Sequence, residues 1–228
     1  MHPDWLTHNT PLARLQTQGG WSVHAVHPAH AGRSALEQFI RLRFAERYQA
    51  SIRHFMPSLL SLQDNEGQLR GGVGLRLAHE QALFLERYLD QPIEQAISAQ
   101  AGADVPRRSI VEVGNLAASS AGAARLLIVA LTDLLVSQGA CWVVFTGTHT
   151  LLNSFHRLGL SPCQLASADP ARMGSELADW GSYYSSQPQV MAGHILGGHR
   201  DLWRQGLYAR LGYQSLLSPE DLDHIASH

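Results

Sequence analysis

Glu112 interrupts an otherwise apolar, β-branched run, Ser109-Ile110-Val111-Glu112-Val113-Gly114-Asn115-Leu116, and is the leading candidate for chemistry in this chain. A carboxylate in a buried strand loses hydration, so its pKa rises and it becomes fit to take a proton from an incoming ammonium, directly or through water. The competing role is structural, a carboxylate held by an arginine. Arg76 and Arg43 stand in apolar surroundings on a predicted strand and a predicted helix. Either suits an ion pair with Glu112 or a bidentate grip on a substrate carboxylate, although arginine is more often a surface residue. Trp180, Tyr183 and Tyr184 form an aromatic group fit to wall a ligand cavity, and equally fit to be ordinary core. His24, His27 and His30 recur every third residue, which invites a metal reading. A strand scatters them over both faces, Pro28 breaks the period, and no cysteine or acid adjoins, so no metal site is expected.

The elements around Glu112 read as one unit. Its strand runs into Ala117-Ala118-Ser119-Ser120-Ala121-Gly122-Ala123-Ala124, residues small enough to let backbone amides approach a ligand closely. A helix is expected from Ala123 to Gln138, with Leu126, Leu127, Val129, Ala130, Leu131, Leu134 and Leu135 as a broad apolar face and Gly139 at the C′ position. Its N-terminus then points at the small-residue turn. The free amides of Ala121, Gly122, Ala123 and Ala124 and the positive end of the helix dipole make a phosphate site there, to which Arg125 adds a charge-assisted contact. A second strand, Cys141–Thr146, follows and is parallel to the first if the helix is a crossover. Leu151–Leu160 gives a short helix carrying Ser154, Phe155 and His156 and ended by Gly159. This order suits a thioester cofactor with a phosphate tail.

Elsewhere, residues 1–19 read as an irregular arm and Trp21–Val26 as a first strand. A helix capped by Ser34 is expected from Ala35 to Gln49, with Leu36, Phe39, Ile40 and Phe44 on one face. Strands at 59–63 and 69–77 join through the turn Asp64-Asn65-Glu66-Gly67, and a helix over 85–101 is divided by Pro92. Beyond it come strands at 162–168 and 190–195, a helix over 202–211, and a last short helix from Pro219.

With 228 residues the chain can bury a sizeable core, and its formal net charge of −2 argues against a nucleic-acid partner. All 17 basic residues are arginine, so side-chain phosphate recognition falls to arginine alone. Cys141 and Cys163 lack metal-ligand spacing and read as buried free thiols of a reducing compartment. No signal peptide is visible in Met1-His2-Pro3-Asp4-Trp5, and apolar runs are shorter than a membrane span, so a cytoplasmic location is expected.

Val111-Glu112-Val113-Gly114-Asn115-Leu116-Ala117, with Leu85-Glu86-Arg87-Tyr88-Leu89 upstream and Trp180-Gly181-Ser182-Tyr183-Tyr184 downstream, resembles the thermostable hemolysin family over roughly residues 20–195. The unit at 109–160 resembles the acyl-CoA core of GNAT acyltransferases and, more distantly, acyl-homoserine-lactone synthases. The resemblance implies a GNAT-like α/β (α+β) fold. Its mixed, mostly antiparallel sheet would hold a central parallel strand pair splayed for an acyl thioester and flanked by helices. It implies a thioester of CoA or of the phosphopantetheine of acyl carrier protein as co-substrate, an amine acceptor, and main-chain amides near Leu116 and Ala118 as oxyanion donors. Phe155 stands where many GNAT enzymes keep a tyrosine that protonates the departing thiolate. Either the thiolate leaves unassisted or Ser154 or His156 substitutes. Gly74-Leu75-Arg76-Leu77 answers the synthases' arginine-leucine pair and Glu112 their glutamate, while Asn115 replaces a second arginine, which turns expectation away from S-adenosylmethionine as acceptor.

The expected organisation is an arm (1–19), an acyltransferase core (20–170) and an extension (171–228) that covers the acceptor side or forms a homodimer contact. An N-acyltransferase is the first reading. A hemolysin acting directly on membranes and a non-catalytic acyl- or CoA-binding module are the alternatives.

Overall fold

The computed structural model describes residues 10–217, so residues 1–9 of the expected arm and the expected helix from Pro219 lie outside the described residues. The strands are β1 (Pro11–Leu15), β2 (Trp21–Val26), β3 (Ser58–Asp64), β4 (Leu69–Leu77), β5 (Ile110–Ala118), β6 (Trp142–Gly147), β7 (Cys163–Ser167), β8 (Gln189–His194) and β9 (Gln214–Ser215). They form one sheet in the order β7-β8-β6-β5-β4-β3-β2-β1-β9. Among the described residues β5 and β6 are its single parallel pair, and every other pairing is antiparallel. This is the expected GNAT-like mixed sheet.

Helices α1 (Arg33–Tyr48) and α2 (Ile93–Ala101) cover one face. The other carries α3 (Ala121–Ser137), α4 (His149–Arg157), α5 (Ile195–Arg204) and α6 (Leu207–Arg210). Leu36, Ile40 and Phe44 of α1 are buried as their spacing requires, and the broad apolar face of α3 is buried along its length. Pro92 sits at the N-cap of α2 and so separates it from the short 3-10 turn Phe84–Tyr88. Asp64 closes the β3–β4 hairpin, its Oδ1 accepting from the amides of Glu66 and Gln68 at 3.0 and 2.9 Å.

Three glycines of β4 let neighbours rest on bare backbone. A Cβ on Gly71 would lie 2.6 Å from Leu127 of α3, one on Gly72 2.7 Å from Leu36 of α1, and one on Gly74 2.5 Å from Met56. The sheet is therefore sandwiched closely at its centre, next to β5.

Four expectations are corrected. Pro11–Leu15, read as arm, is a strand whose Leu12 and Leu15 are buried, because it supplies the ladder partner that β2 would otherwise lack. Ser34 does not cap α1, which starts at Arg33, two residues earlier than expected, after Gly32. The single helix expected over 202–211 is two, divided by Gly206 at φ 65°. Cys141 is exposed rather than buried, at the mouth of β6. No helix among the described residues is long and apolar enough to cross a membrane.

Candidate active site

β5 and β6 pair only from Ile110↔Trp142 to Val113↔Phe145, after which both strands continue without partnering each other. The cause of the divergence is visible in β5. Gly72 faces Ala117 and Gly74 faces Gly114, so Asn115 and Leu116 together oppose Val73 in a β-bulge. Asn115 takes φ +52°, a left-handed conformation that asparagine tolerates better than branched residues do. Its Oδ1 accepts from the Met56 amide at 2.8 Å, and its Nδ2 donates to the His54 carbonyl at 3.4 Å. An arginine at this position could neither adopt the turn so readily nor clamp the 50–57 loop in this way. Asn115 thus shapes the opening while lining it.

The gap opens into a cavity of about 790 Å³, within the range of small-molecule sites. It passes through the sheet. On the α1 face it is lined by Tyr48, Arg76, Phe84, Tyr88, Glu112, Trp180 and Tyr183; on the α3 face by Ala124, Leu127, Ile128, Leu131, Leu135, Val143 and Ile195. Leu116, Ala118, Ala121, Ser154, Phe155, Arg43 and Asn115 also line it.

Glu112 is 2% exposed. Its two oxygens accept from the main-chain amides of Phe84 and Leu85, each at 2.9 Å, and Arg76 Nη1 lies 3.5 Å from Oε2. Burial pushes the carboxyl above the usual range; the two amide donors and Arg76 oppose that push without cancelling it. The Phe84–Tyr88 turn that presents these amides is itself anchored. Glu86 accepts from the amides of Leu83 and Ile93 and forms a two-pronged ion pair with Arg107 at 2.6 and 2.8 Å, while Arg107 also reaches Glu94 and the Ala78 carbonyl. Glu86 of the upstream motif is accordingly a positioning group for the Glu112 mount.

Arg107 holds the Glu86 carboxyl down at about 2, well below its ordinary 4.5. A depressed carboxylate pKa contributes stability that is fully present above the unfolded value and is lost as pH falls toward the folded one. Chemical denaturation should therefore show stability decreasing between pH 4.5 and about 2. Arg107→Met should cost about 2 kcal/mol at neutral pH by removing charge-assisted bonds, and should flatten that acid slope. An unchanged slope in the variant would show that the pair does not hold the turn.

The aromatic wall comes from the 3-10 segments Pro170–Trp180 and Tyr183–Ser186. The segment before Tyr183 is tied to the end of α1: the Ser182 amide donates to the Tyr48 carbonyl at 2.7 Å and Ser51 N to the Asp179 carbonyl at 2.6 Å. Gly181, at φ +50°, lies so close that a Cβ would meet the Tyr48 carbonyl at 2.1 Å. Tyr48 and Tyr183 meet edge to face at 5.1 Å, and Trp180 contacts Phe84, Tyr183 and Tyr184. The Tyr183 hydroxyl donates to the Thr146 carbonyl at 3.3 Å in the gap, while the Tyr184 hydroxyl pairs with that of Tyr88 at 2.5 Å behind the wall. Burial raises both phenol pKa values, so the hydroxyls stay protonated.

The remaining expected site residues divide. Ser120 caps α3 by accepting from the Ala123 amide at 3.1 Å, leaving the Ala121 and Gly122 amides without intrahelical acceptors. Ala121 and Ala124 face the cavity, whereas Gly122, Ala123 and the half-buried Arg125 stand outside its lining. Phe155 stacks on Phe145 at 4.9 Å at the rim. The Ser154 hydroxyl turns back to the Thr150 carbonyl at 3.4 Å. His156 is corrected: it is exposed on the outer side of α4, away from the cavity, because the helical rotation that brings Ser154 and Phe155 inward carries it out. Phe84, Tyr48 and the loop residue Met56 were missed; the first two carried an aromatic signal, and Met56 none. Among the described residues no three histidine, cysteine or acidic side chains gather as metal ligands, and His24 and His30 bond instead to Ser22 and to the Gly32 amide.

Among the described residues the sheet has one parallel pair, β5 and β6, split over the cavity, and solved structures share the fold. The structure of FeeM, an N-acyl amino acid synthase from uncultured soil microbes, superposes with a TM-score of 0.56 at 13% identity, covering 83% of this chain and 96% of that one. BjaI, a CoA-dependent acyl-homoserine lactone synthase solved with SAM and isopentyl-CoA, gives 0.54 at 15% identity, covering 90% and 98%. The AHL synthase LasI gives 0.51 at 12%, covering 77% and 90%. At these identities the likeness is one of fold. The chain belongs to the thermostable hemolysin family, whose profile matches residues 26–199. No curated protein sequence matches it significantly.

Proposed function

We propose that this protein is an N-acyltransferase that moves an acyl group from a pantetheine thioester to an amine. The observation that carries the reading is the through-sheet cavity at the β5–β6 split, polar around Glu112 on one face and apolar along α3 on the other. A thioester threaded through the split meets an amine entering from the α1 face. The N-terminus of α3, with the free amides of Ala121 and Gly122, suits the phosphate end of the donor, CoA or a carrier protein's arm. The fold shared with CoA-dependent and N-acyl amino acid synthases supports the same reading.

The chemistry balances as follows. Glu112 takes one proton from the acceptor ammonium, directly or through water. The freed nitrogen attacks the thioester carbonyl, whose oxygen is received by main-chain amides of the bulge near Leu116 and Ala118. Collapse breaks the C–S bond; the nitrogen loses its second surplus proton and the thiolate takes up one. The thiolate needs no dedicated acid, since a thiol pKa near ~8.5 makes it a competent leaving group. Substrate placement in one cavity supplies the orientation.

The test is incubation of the full-length protein with butyryl-, octanoyl- and lauroyl-CoA, and with the matching acyl carrier proteins, against pooled amines, read by mass spectrometry. Acylated amine together with free thiol is the expected result. Absence of both, with leakage of liposomes by protein alone, would favour direct membrane action instead.

A further inference from the structure

Resting on that reading, we infer that the acceptor is an α-amino acid with an apolar or aromatic side chain, rather than a simple amine or polyamine. Arg76 and Glu112 are cross-strand neighbours on β4 and β5, both facing the cavity, and their closest approach is 3.5 Å. That is a loose pair where a guanidinium and a carboxylate could form two short bonds. Glu112 is occupied from behind by the Phe84 and Leu85 amides. Arg76 Nε is buried without a hydrogen-bond partner. A guanidinium whose donors are only partly matched is costly to bury, and among the described residues Arg76 Nη1 donates only to the Ala82 carbonyl, at a long 3.4 Å, which leaves donors for a ligand. A carboxylate and a guanidinium side by side match, in reverse, the ammonium and carboxylate that an α-amino acid carries on one carbon.

The surroundings fit the same ligand. The other acids at the α1-side mouth are already matched, Glu46 with Arg43 at 2.7 Å, Glu176 with Arg87 at 3.0 Å and Asp179 with Arg53 at 2.8 Å, so they do not form a field for a polycation. Arg43 adds a second buried, unpartnered Nε at the same opening. Tyr48, Phe84, Trp180 and Tyr183 supply flat apolar surface next to the pair, where a hydrocarbon or aromatic side chain would be desolvated.

The experiment compares phenylalanine and leucine with their carboxamides and with the corresponding decarboxylated amines, using the donor that the panel above selects. Parent enzyme should favour the free amino acids in kcat/KM by roughly 10- to 100-fold, the worth of a charge-assisted contact. In Arg76→Met that preference should vanish while the carboxamide rates fall no further than the amino-acid rates, and Arg76→Lys should restore part of it. Calorimetric titration of the amino acids and amides without donor gives a readout independent of turnover. Equal acylation of amides and amino acids would overturn this inference and leave acyl transfer standing. Absence of acylation and of amino-acid binding would remove both. A preference that persists in Arg76→Met would assign the carboxylate to another group and overturn the role given to Arg76.

Discussion

Glu112→Gln should lower kcat/KM by about 10²- to 10⁴-fold, the usual contribution of a positioned proton acceptor. It should also cost about 1–3 kcal/mol of folding stability, because both carboxylate oxygens face main-chain N–H donors and the glutamine NH₂ must oppose one of them. The two losses separate cleanly: thermal melting reports the second, and a well-folded variant assayed below its melting temperature reports the first. The pH profile gives a further check. Burial holds the Glu112 carboxyl above its ordinary value of 4.5, and the proton acceptor works only when ionised. The parent rate should therefore climb with pH through an inflection above 4.5 that the glutamine variant lacks. Stability should move in the opposite sense, falling as pH rises through that inflection, since the folded state holds this proton more tightly than the unfolded chain. A glutamine variant as active as the parent would remove Glu112 from the chemistry and leave it a structural acid.

The second large effect concerns the donor. Ala124, Leu127, Ile128, Leu131 and Leu135 line the α3 side of the cavity. The span from Ala124 to Leu135 is about 16 Å of helix axis at ~1.5 Å per residue. An extended hydrocarbon needs roughly a dozen bonds to cover that distance. Leu131 lies midway. Leu131→Trp should lower kcat/KM for lauroyl thioesters by at least about 30-fold, since each excluded methylene forfeits ~0.8 kcal/mol of burial. Butyryl thioesters should stay within a few-fold of the parent. Overpacking would cost about 1–3 kcal/mol of stability, measurable by melting. Equal losses for short and long donors would show that the acyl chain does not run beneath α3.

The β5–α3–β6 unit was legible within a few residues because its signals are local: a β-branched run, a three-turn apolar face, and Gly139, which takes φ +67° past the end of α3. Glu112 stood out for the same reason, a lone charge in an apolar strand. What the sequence could not disclose was tertiary. The donors that hold Glu112 are backbone amides of Phe84 and Leu85, which look alike at every residue. The bulge at Asn115 arises from a register mismatch between two strands, and neither strand reveals it alone. β1 is short and begins with proline, so only the free edge of β2 makes it a strand. His156 is exposed on α4, the solvent face that its place on an amphipathic helix already suggests, so only its naming as a stand-in acid fails.

The tie between the Tyr48 carbonyl and Ser182, residues 134 apart, has a consequence for biosynthesis. α1 and β2 to β5 emerge from the ribosome long before residues 179–184, so during translation the cavity around Glu112 exists with one wall missing. A nascent chain arrested after β7 would carry the bulge and Glu112, yet would expose Tyr48 and Phe84 to water and to chaperones. Closure of the cavity is thus a late event of synthesis, which leaves the β5–β6 gap without its aromatic wall until residues 179–184 are present.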